Sequence, residues 1–147
     1  MKTIILAGGY GTRIAEYTKK IPKPMVKIGG IPLLTHIMRL FKSYGYDEFI
    51  IAAGYKKKVI QNYYLNSKEF TNLQIIDTGK ETMTGGRLLR LKPFFKKEEI
   101  FFMTYGDGLS DVNLKKLKEF HLKHRKIATV TAVRPPVRFG EMSIIRS

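Results

Sequence analysis

A glycine-rich run near the amino terminus, Gly8-Gly9-Tyr10-Gly11-Thr12-Arg13, carries residue types suited to holding a polyphosphate. Glycines let the backbone approach phosphate oxygens closely and leave N–H groups free to donate to them. Thr12 adds a hydroxyl and Arg13 a fixed planar cation that can bind phosphate through two parallel hydrogen bonds. Further along, Lys23 stands between Pro22 and Pro24. Each proline fixes its own φ, and Pro24 also restricts the lysine backbone, so this cation is rigidly aimed. Asp107 is set between Gly106 and Gly108. A carboxylate there could hold a divalent cation whose other ligands are water and phosphate oxygens, the arrangement Mg²⁺ favours; Gly-Asp-Gly is equally ordinary turn chemistry. Asp111 could be a second carboxylate, but it reads better as the cap of a following helix. Asp77-Thr78-Gly79 and then Thr82-Met83-Thr84-Gly85-Gly86-Arg87 place hydroxyls and a cation where a helix opens, a position that favours anions, or else form a simple capped loop.

Other chemistries are excluded or disfavoured. The Gly-x-Gly-x-x-Gly dinucleotide fingerprint is not completed, and no Gly-Lys-Ser/Thr of a Walker A loop follows. The chain has 0 cysteines, which removes disulfides, thiolate catalysis and cysteine-based zinc sites. His36, His121 and His124 lack metal-ligand spacing, and the last two read as a surface pair on a helix. A net charge of +15 favours anionic partners, yet the basic residues are spread along the chain, as in Lys56-Lys57-Lys58 and Lys115-Lys116, and mostly make a solvated surface. A basic nucleic-acid-binding domain is the alternative this charge raises. Against it, the aromatics fall mostly on faces predicted to be buried, and no RNA- or DNA-binding signature is present. No segment reads as a signal peptide or a membrane span, so a cytoplasmic location is expected, with no membrane partner.

The elements that must position these residues alternate between strand and helix. Strands are expected at Thr3–Leu6, Phe49–Ala53, Leu73–Ile76, Ile100–Tyr105, Ile127–Val133 and Met142–Ile145. Helices are expected at Pro32–Tyr44, with Pro32 in the first turn and Gly45 as the stop, and at Lys57–Tyr64, with Val59, Ile60, Tyr63 and Tyr64 inward. Two more are expected at Gly85–Leu91 and at Asn113–His124, the latter with Leu114, Leu117, Phe120 and His121 on one side. The pattern implies parallel pairing with right-handed crossovers, hence an α/β class fold. A chain of 147 residues suits one domain, residues 1–147. Ligands of such sheets sit at the carboxyl ends of strands. Loops 7–13 and 106–111 both follow strands directly and should face one crevice. The polar connection 66–72 is expected to be the loosest.

The glycine run together with Pro22-Lys23-Pro24-Met25 resembles the signature of the sugar-phosphate nucleotidyltransferases. Ile28-Gly29-Gly30-Ile31-Pro32, Ala53-Gly54-Tyr55-Lys56, Asp77-Thr78-Gly79, Met83-Thr84-Gly85-Gly86-Arg87-Leu88, Thr104-Tyr105-Gly106-Asp107-Gly108 and Arg138-Phe139-Gly140 are similar to blocks of its cytidylyl branch. The resemblance implies a three-layer α/β/α sandwich with a mostly parallel sheet, a Rossmann-like nucleotide-diphospho-sugar transferase fold left incomplete at the carboxyl end. It implies Mg²⁺ as cofactor, CTP and glucose 1-phosphate as substrates, CDP-glucose and pyrophosphate as products, and homo-oligomeric assembly. By the same resemblance Leu6, Ala7, Gly8, Gly9, Tyr10, Gly11, Thr12 and Arg13 would wrap the nucleotide, and Lys23 would contact the triphosphate. Thr82, Arg87 and Gly106 would line the nucleotide side, and Asp107 would be a magnesium ligand. Arg13, Lys23 and Asp107 would carry catalysis. Two departures stand out. The span from Tyr55 to Asp77 is shorter than is usual in the family. Family members also continue well beyond residue 147, through a half that normally supplies a second carboxylate, a second lysine and sugar contacts. Another base or sugar, or a CTP-binding fragment without turnover, are the alternatives within the family.

Overall fold

The computed structural model describes residues 1–12, 15–97 and 99–133. Arg13, the Arg138-Phe139-Gly140 block and the strand expected at Met142–Ile145 lie outside the described residues. A first compact unit comprises Met1–Leu114 and contains every described site residue; a second begins at Lys115.

Four parallel strands make the central sheet: β1 (Lys2–Ala7), β4 (Glu48–Ala53), β5 (Leu73–Asp77) and β6 (Phe102–Tyr105), in the order β5-β4-β1-β6. Register pairs Ile4 with Ile50 and Met103, and Ile51 with Ile75. β1 and β4 are the inner strands, and Thr3–Ala7 and Phe49–Ala53 are buried throughout. This explains why they read as continuous apolar runs rather than as alternating ones. Alternate side chains serve the two faces. Ile4, Leu6, Ile50 and Ala52 cluster with Leu91 and Leu88 of α4 (Thr84–Leu91) and with Phe94 and Phe95 just after it. On the other face Phe102 meets Phe41 of α2 (Leu33–Ser43), ring centroids 5.6 Å apart, and Phe49 meets Phe70, which in turn packs on Tyr64 of α3 (Lys57–Tyr64). Helices therefore cover both faces of a parallel sheet, as the alternating pattern predicts.

The strand order reverses between β1 and β6. From β1 the chain builds outward through β4 to β5, and then returns to pair β6 on the other side of β1. Two loops leaving a sheet at such a reversal open a crevice between them.

Several expectations are corrected. Ile127–Val133 forms no strand; Ile127 and Val130 are fully or largely exposed, and among the described residues no strand pairs with them. A β-branched run becomes a strand only with a ladder partner. β6 begins at Phe102, leaving Ile100 and Phe101 outside it and partly exposed. Tyr63 of α3 is 47% exposed although expected inward, since Ile60 and Tyr64 alone fill the buried face of this eight-residue helix. Phe120 of α5 (Leu114–His124) is likewise exposed. That helix starts at Leu114, so Asp111 comes too early to cap it. Pro32 precedes α2 as its N-cap residue and closes an unexpected hairpin, β2 (Lys27–Ile28) with β3 (Ile31–Pro32). Gly29 and Gly30 turn that hairpin with φ of +59° and +80°, the left-handed values a tight two-residue turn demands. The polar 66–72 connection is anchored: Phe70 is buried, and Glu69 accepts two hydrogen bonds from Arg39 at 2.7 and 2.9 Å.

Candidate active site

The crevice between the ends of β1 and β6 is a cleft lined by backbone glycines on one wall and by charged and hydroxyl side chains on the others. Leu6, Ala7, Gly8, Gly9 and Gly11 come from β1 and its loop, Lys23 and Pro24 from the turn after α1 (Ala15–Thr18). Thr82, Met83, Thr84 and Arg87 come from the start of α4, and Tyr105, Gly106 and Asp107 from the end of β6. The two loops expected to share a crevice thus do so.

Local packing explains how each charged group arrives. Gly106 N–H donates to the Leu6 carbonyl at 2.9 Å, which docks the β6 turn onto the β1 strand. A Cβ at Gly106 would lie 2.8 Å from Cγ of Pro24, so the buried proline ring rests directly on this glycine. The residues beside that contact then meet: Lys23 Nζ donates to Asp107 Oδ2 at 2.6 Å. Lys23 itself sits in a single 3-10 turn, Lys23–Met25, closed by Met25 N–H donating to the Pro22 carbonyl at 2.8 Å. Gly11 has φ of +66°, and a Cβ there would lie 2.8 Å from Thr18 Cγ2 and 3.1 Å from Lys23 Cβ. Thr18 Oγ1 donates to the Gly11 carbonyl at 3.1 Å, so the glycine loop, the turn and the lysine are packed as one.

Arg87 plays a different part from the other cations. It is 5% exposed. Its Nη1 donates to Thr78 Oγ1 at 2.6 Å, to the Gly79 carbonyl at 2.7 Å and to the Ala53 carbonyl at 3.4 Å. Its Nη2 donates to the carbonyls of Gly8 at 2.9 Å and Lys80 at 3.3 Å. The guanidinium therefore ties together the loops that follow β1, β4 and β5. A Cβ at Gly8 would come within 2.1 Å of Nη1, and one at Gly54 within 2.7 Å, so these glycines make room for it. Burial, and then Arg90 nearby, push this guanidinium below the usual arginine range. Both terminal nitrogens are already committed to protein oxygens.

Of the residues singled out in the sequence, Leu6, Ala7, Gly8, Gly9, Gly11, Lys23, Thr82, Arg87, Gly106 and Asp107 line the cleft. Tyr10 and Thr12 do not. Tyr10 turns aside, hydrogen-bonded to Glu81 and packed on the Tyr55 ring at 5.0 Å between centroids. Pro24, Met83, Thr84 and Tyr105 also line it without having been singled out as site residues, though all four fall inside the motifs that drew attention. The amino end of α4 opens on the cleft with no side chain capping it, leaving backbone N–H donors and the positive end of the helix dipole there.

The chemistry of this donor set fits a polyphosphate and a lightly held divalent cation. Among the described residues no group of three or more His, Cys, Asp or Glu could cage a metal by itself. Among the described residues one carboxylate, Asp107, lines the cleft, and a Mg²⁺ held there would complete its shell from water and phosphate oxygens.

The sequence profile described as Nucleotidyl transferase matches residues 2–145. The chain belongs to the nucleotidyl transferase family. Within it, this family member is 44% identical over 166 aligned positions to the glucose-1-phosphate cytidylyltransferase of Salmonella typhimurium, covering 98% of the chain and 65% of the relative. It is 37% identical to the probable glucose-1-phosphate cytidylyltransferase of Bacillus subtilis, with the same coverage. The chain thus spans about two thirds of the length of the curated relatives it matches. Among solved structures, HddC from Yersinia pseudotuberculosis complexed with GMP-PN superposes with a TM-score of 0.70 at 29% identity, covering 82% of this chain and 54% of that one. UDP-glucose pyrophosphorylase complexed with UDP-glucose gives the same TM-score at 22% identity over 84% of this chain and 54% of that one, a likeness of fold. These neighbours place the mostly parallel sheet in the Rossmann-like fold of nucleotide-sugar transferases. Among the described residues no helix is long and apolar enough to cross a membrane.

Proposed function

We propose that the cleft takes CTP and that the whole protein transfers its cytidylyl group to glucose 1-phosphate, releasing pyrophosphate. One observation carries this reading: a glycine loop, a proline-framed lysine and a glycine-flanked aspartate converge in one cleft at the strand-order reversal. The 44% identity to a glucose-1-phosphate cytidylyltransferase supports the choice of base and sugar.

The reaction joins two anions, so its barrier is largely charge repulsion and positioning. Backbone donors of Gly8, Gly9 and Gly11 line the phosphates, with Thr12 next to them in the same loop; Arg13 follows in the sequence and by the family resemblance would add its charge. Lys23 neutralises charge on the pyrophosphate leaving group. Thr82, Gly106, Leu6 and Ala7 shape the nucleotide side, while Arg87 fixes the loops against which the nucleotide rests. Asp107 would hold Mg²⁺, which would supply Lewis-acid neutralisation of the phosphate charge. No side-chain nucleophile or general base is required, because the attacking phosphate oxygen is already ionised. Mg²⁺ dependence and homo-oligomeric assembly belong to the same reading and rest on the family resemblance; a cytoplasmic location rests on the sequence, in which no segment reads as a signal peptide or a membrane span.

Thermal shifts with CTP, UTP, dTTP and GTP in the presence of Mg²⁺, paired with chromatographic detection of CDP-glucose, test it. CTP is expected to stabilise the protein most. Equal stabilisation by all four would remove the cytidylyl assignment, and binding of CTP without product would reduce the chain to a nucleotide-binding fragment.

A further inference from the structure

Lys23 and Asp107 are 84 positions apart, yet their contact is built rather than incidental. The Pro24 ring lies on Gly106, and Gly106 is hydrogen-bonded to the β1 strand, so the backbones on either side of the pair are docked together. Both side chains line the cleft, about 30% exposed (29% and 31%), and they meet at 2.6 Å. Under the proposed nucleotide reading, on which this inference rests, the same two groups are needed apart: the ammonium on phosphate, the carboxylate on a divalent cation. In the structure each occupies the other.

We infer that the Lys23–Asp107 ion pair is a latch which a divalent cation and a nucleotide open together and neither opens well alone. A cation arriving by itself must displace an ammonium already seated on the carboxylate. A metal-free triphosphate that draws Lys23 away leaves Asp107 bare and facing phosphate, a like-charge juxtaposition. When both arrive, the pair exchanges partners: the ammonium passes to phosphate, the carboxylate to the cation, and no charge is left unpaired. Metal and nucleotide binding are thereby coupled through one contact, and by linkage each strengthens the other by the same factor.

The test measures each half alone on this chain, with Mn²⁺ as a spectroscopic probe. Electron paramagnetic resonance reports Mn²⁺ affinity without nucleotide, and calorimetry reports CTP affinity in excess chelator. Lys23→Met is expected to bind Mn²⁺ about fivefold or more tightly than the unsubstituted chain, the lower end of ordinary coupling factors. Lys27→Met, which removes the same charge from the exposed β2 strand, is expected to leave Mn²⁺ affinity unchanged. Asp107→Asn is expected to bind metal-free CTP more tightly by a similar factor. Unchanged or weaker Mn²⁺ binding in Lys23→Met, an equal gain in Lys27→Met, or no gain in Asp107→Asn overturns the latch. CTP with Mg²⁺ on the unsubstituted chain separates the two levels. If it binds and the variants show no gains, only the latch fails; if it does not bind, the nucleotide reading fails with it.

Discussion

The Arg87 guanidinium donates to the Gly8 carbonyl oxygen at 2.9 Å, joining the fourth helix to the first loop of the chain across 79 positions. That bond belongs to a set of five that fasten three strand-end loops around one buried cation. Removing the guanidinium takes a donor from Thr78 Oγ1 and from four carbonyls at once, although Ala53 and Gly8 keep the N–H donors of Thr78 and Tyr55. Arg87→Met is expected to destabilise the chain by about 2–4 kcal/mol, the range for losing several charged hydrogen bonds from a buried site. Gly8→Ala pushes a methyl into the same guanidinium. The two effects share one space, so urea unfolding of Gly8→Ala, Arg87→Met and the double variant should show strong non-additivity, with Gly8→Ala costing far less once Arg87 is gone. Additive losses would mean that the glycine is not there to admit the arginine.

Lys23 offers a charge that no other described side chain brings to the same point of the cleft. Lys23→Ala in the full-length protein is expected to lower turnover on the order of 10²-fold, the scale of losing a preorganised charge contact. Steady-state kinetics with CTP and glucose 1-phosphate check this, and near-normal turnover would remove Lys23 from the mechanism.

Thr3 carries the one buried side-chain polar atom without a hydrogen-bond partner among the described residues, its Oγ1 on the inner strand β1. Burying an unpaired hydroxyl costs about 1–3 kcal/mol. Thr3→Val keeps the shape and removes that cost, so it should raise stability by about 1 kcal/mol or more in denaturant unfolding. A loss of stability would show that the hydroxyl has a partner in solution, such as an ordered water.

Tyr64 makes alkaline stability informative. Burial pushes its phenol up to about 12 against an ordinary value near 10, partly opposed by its hydrogen bond to Thr35 at 2.6 Å. The folded state therefore keeps this proton where the unfolded chain has lost it. Its contribution is fully present below pH 10 and is lost as pH rises from 10 through 12, on the order of 2–3 kcal/mol over that window. Tyr64→Phe should flatten the fall in stability between pH 10 and 12. An equally steep fall in that variant would place the alkaline sensitivity elsewhere.

Much of this architecture is written locally. The apolar runs Ile4–Ala7 and Phe49–Ala53 read as buried strands because both faces of an inner parallel strand are covered. Gly45, with φ of +83°, marks the end of α2 as helix-terminating glycines do. The glycine loop, Lys23 and Asp107 were legible because their unusual neighbours, glycines and prolines, restrict what those positions can be for. The rest depends on partners distant in sequence. Ile127–Val133 has strand composition but no described ladder partner, and composition cannot supply one. The Gly29-Gly30 hairpin carries its own turn signal, but strands of only two residues leave no alternation pattern to read. Arg87 resembled a cleft cation, and only the third dimension reveals that its donors are spent on Gly8, Thr78 and Gly79.

Whether one nucleotide is shared by the glycine loop, Lys23 and Asp107 is read most directly by amide-resolved NMR during titration with CTP and Mg²⁺. Gly8, Gly9, Gly11, Lys23, Gly106 and Asp107 should shift together along one saturable curve, with α3 and α5 unmoved. Saturable binding that shifts other amides and leaves these six in place would contradict the assignment of this cleft.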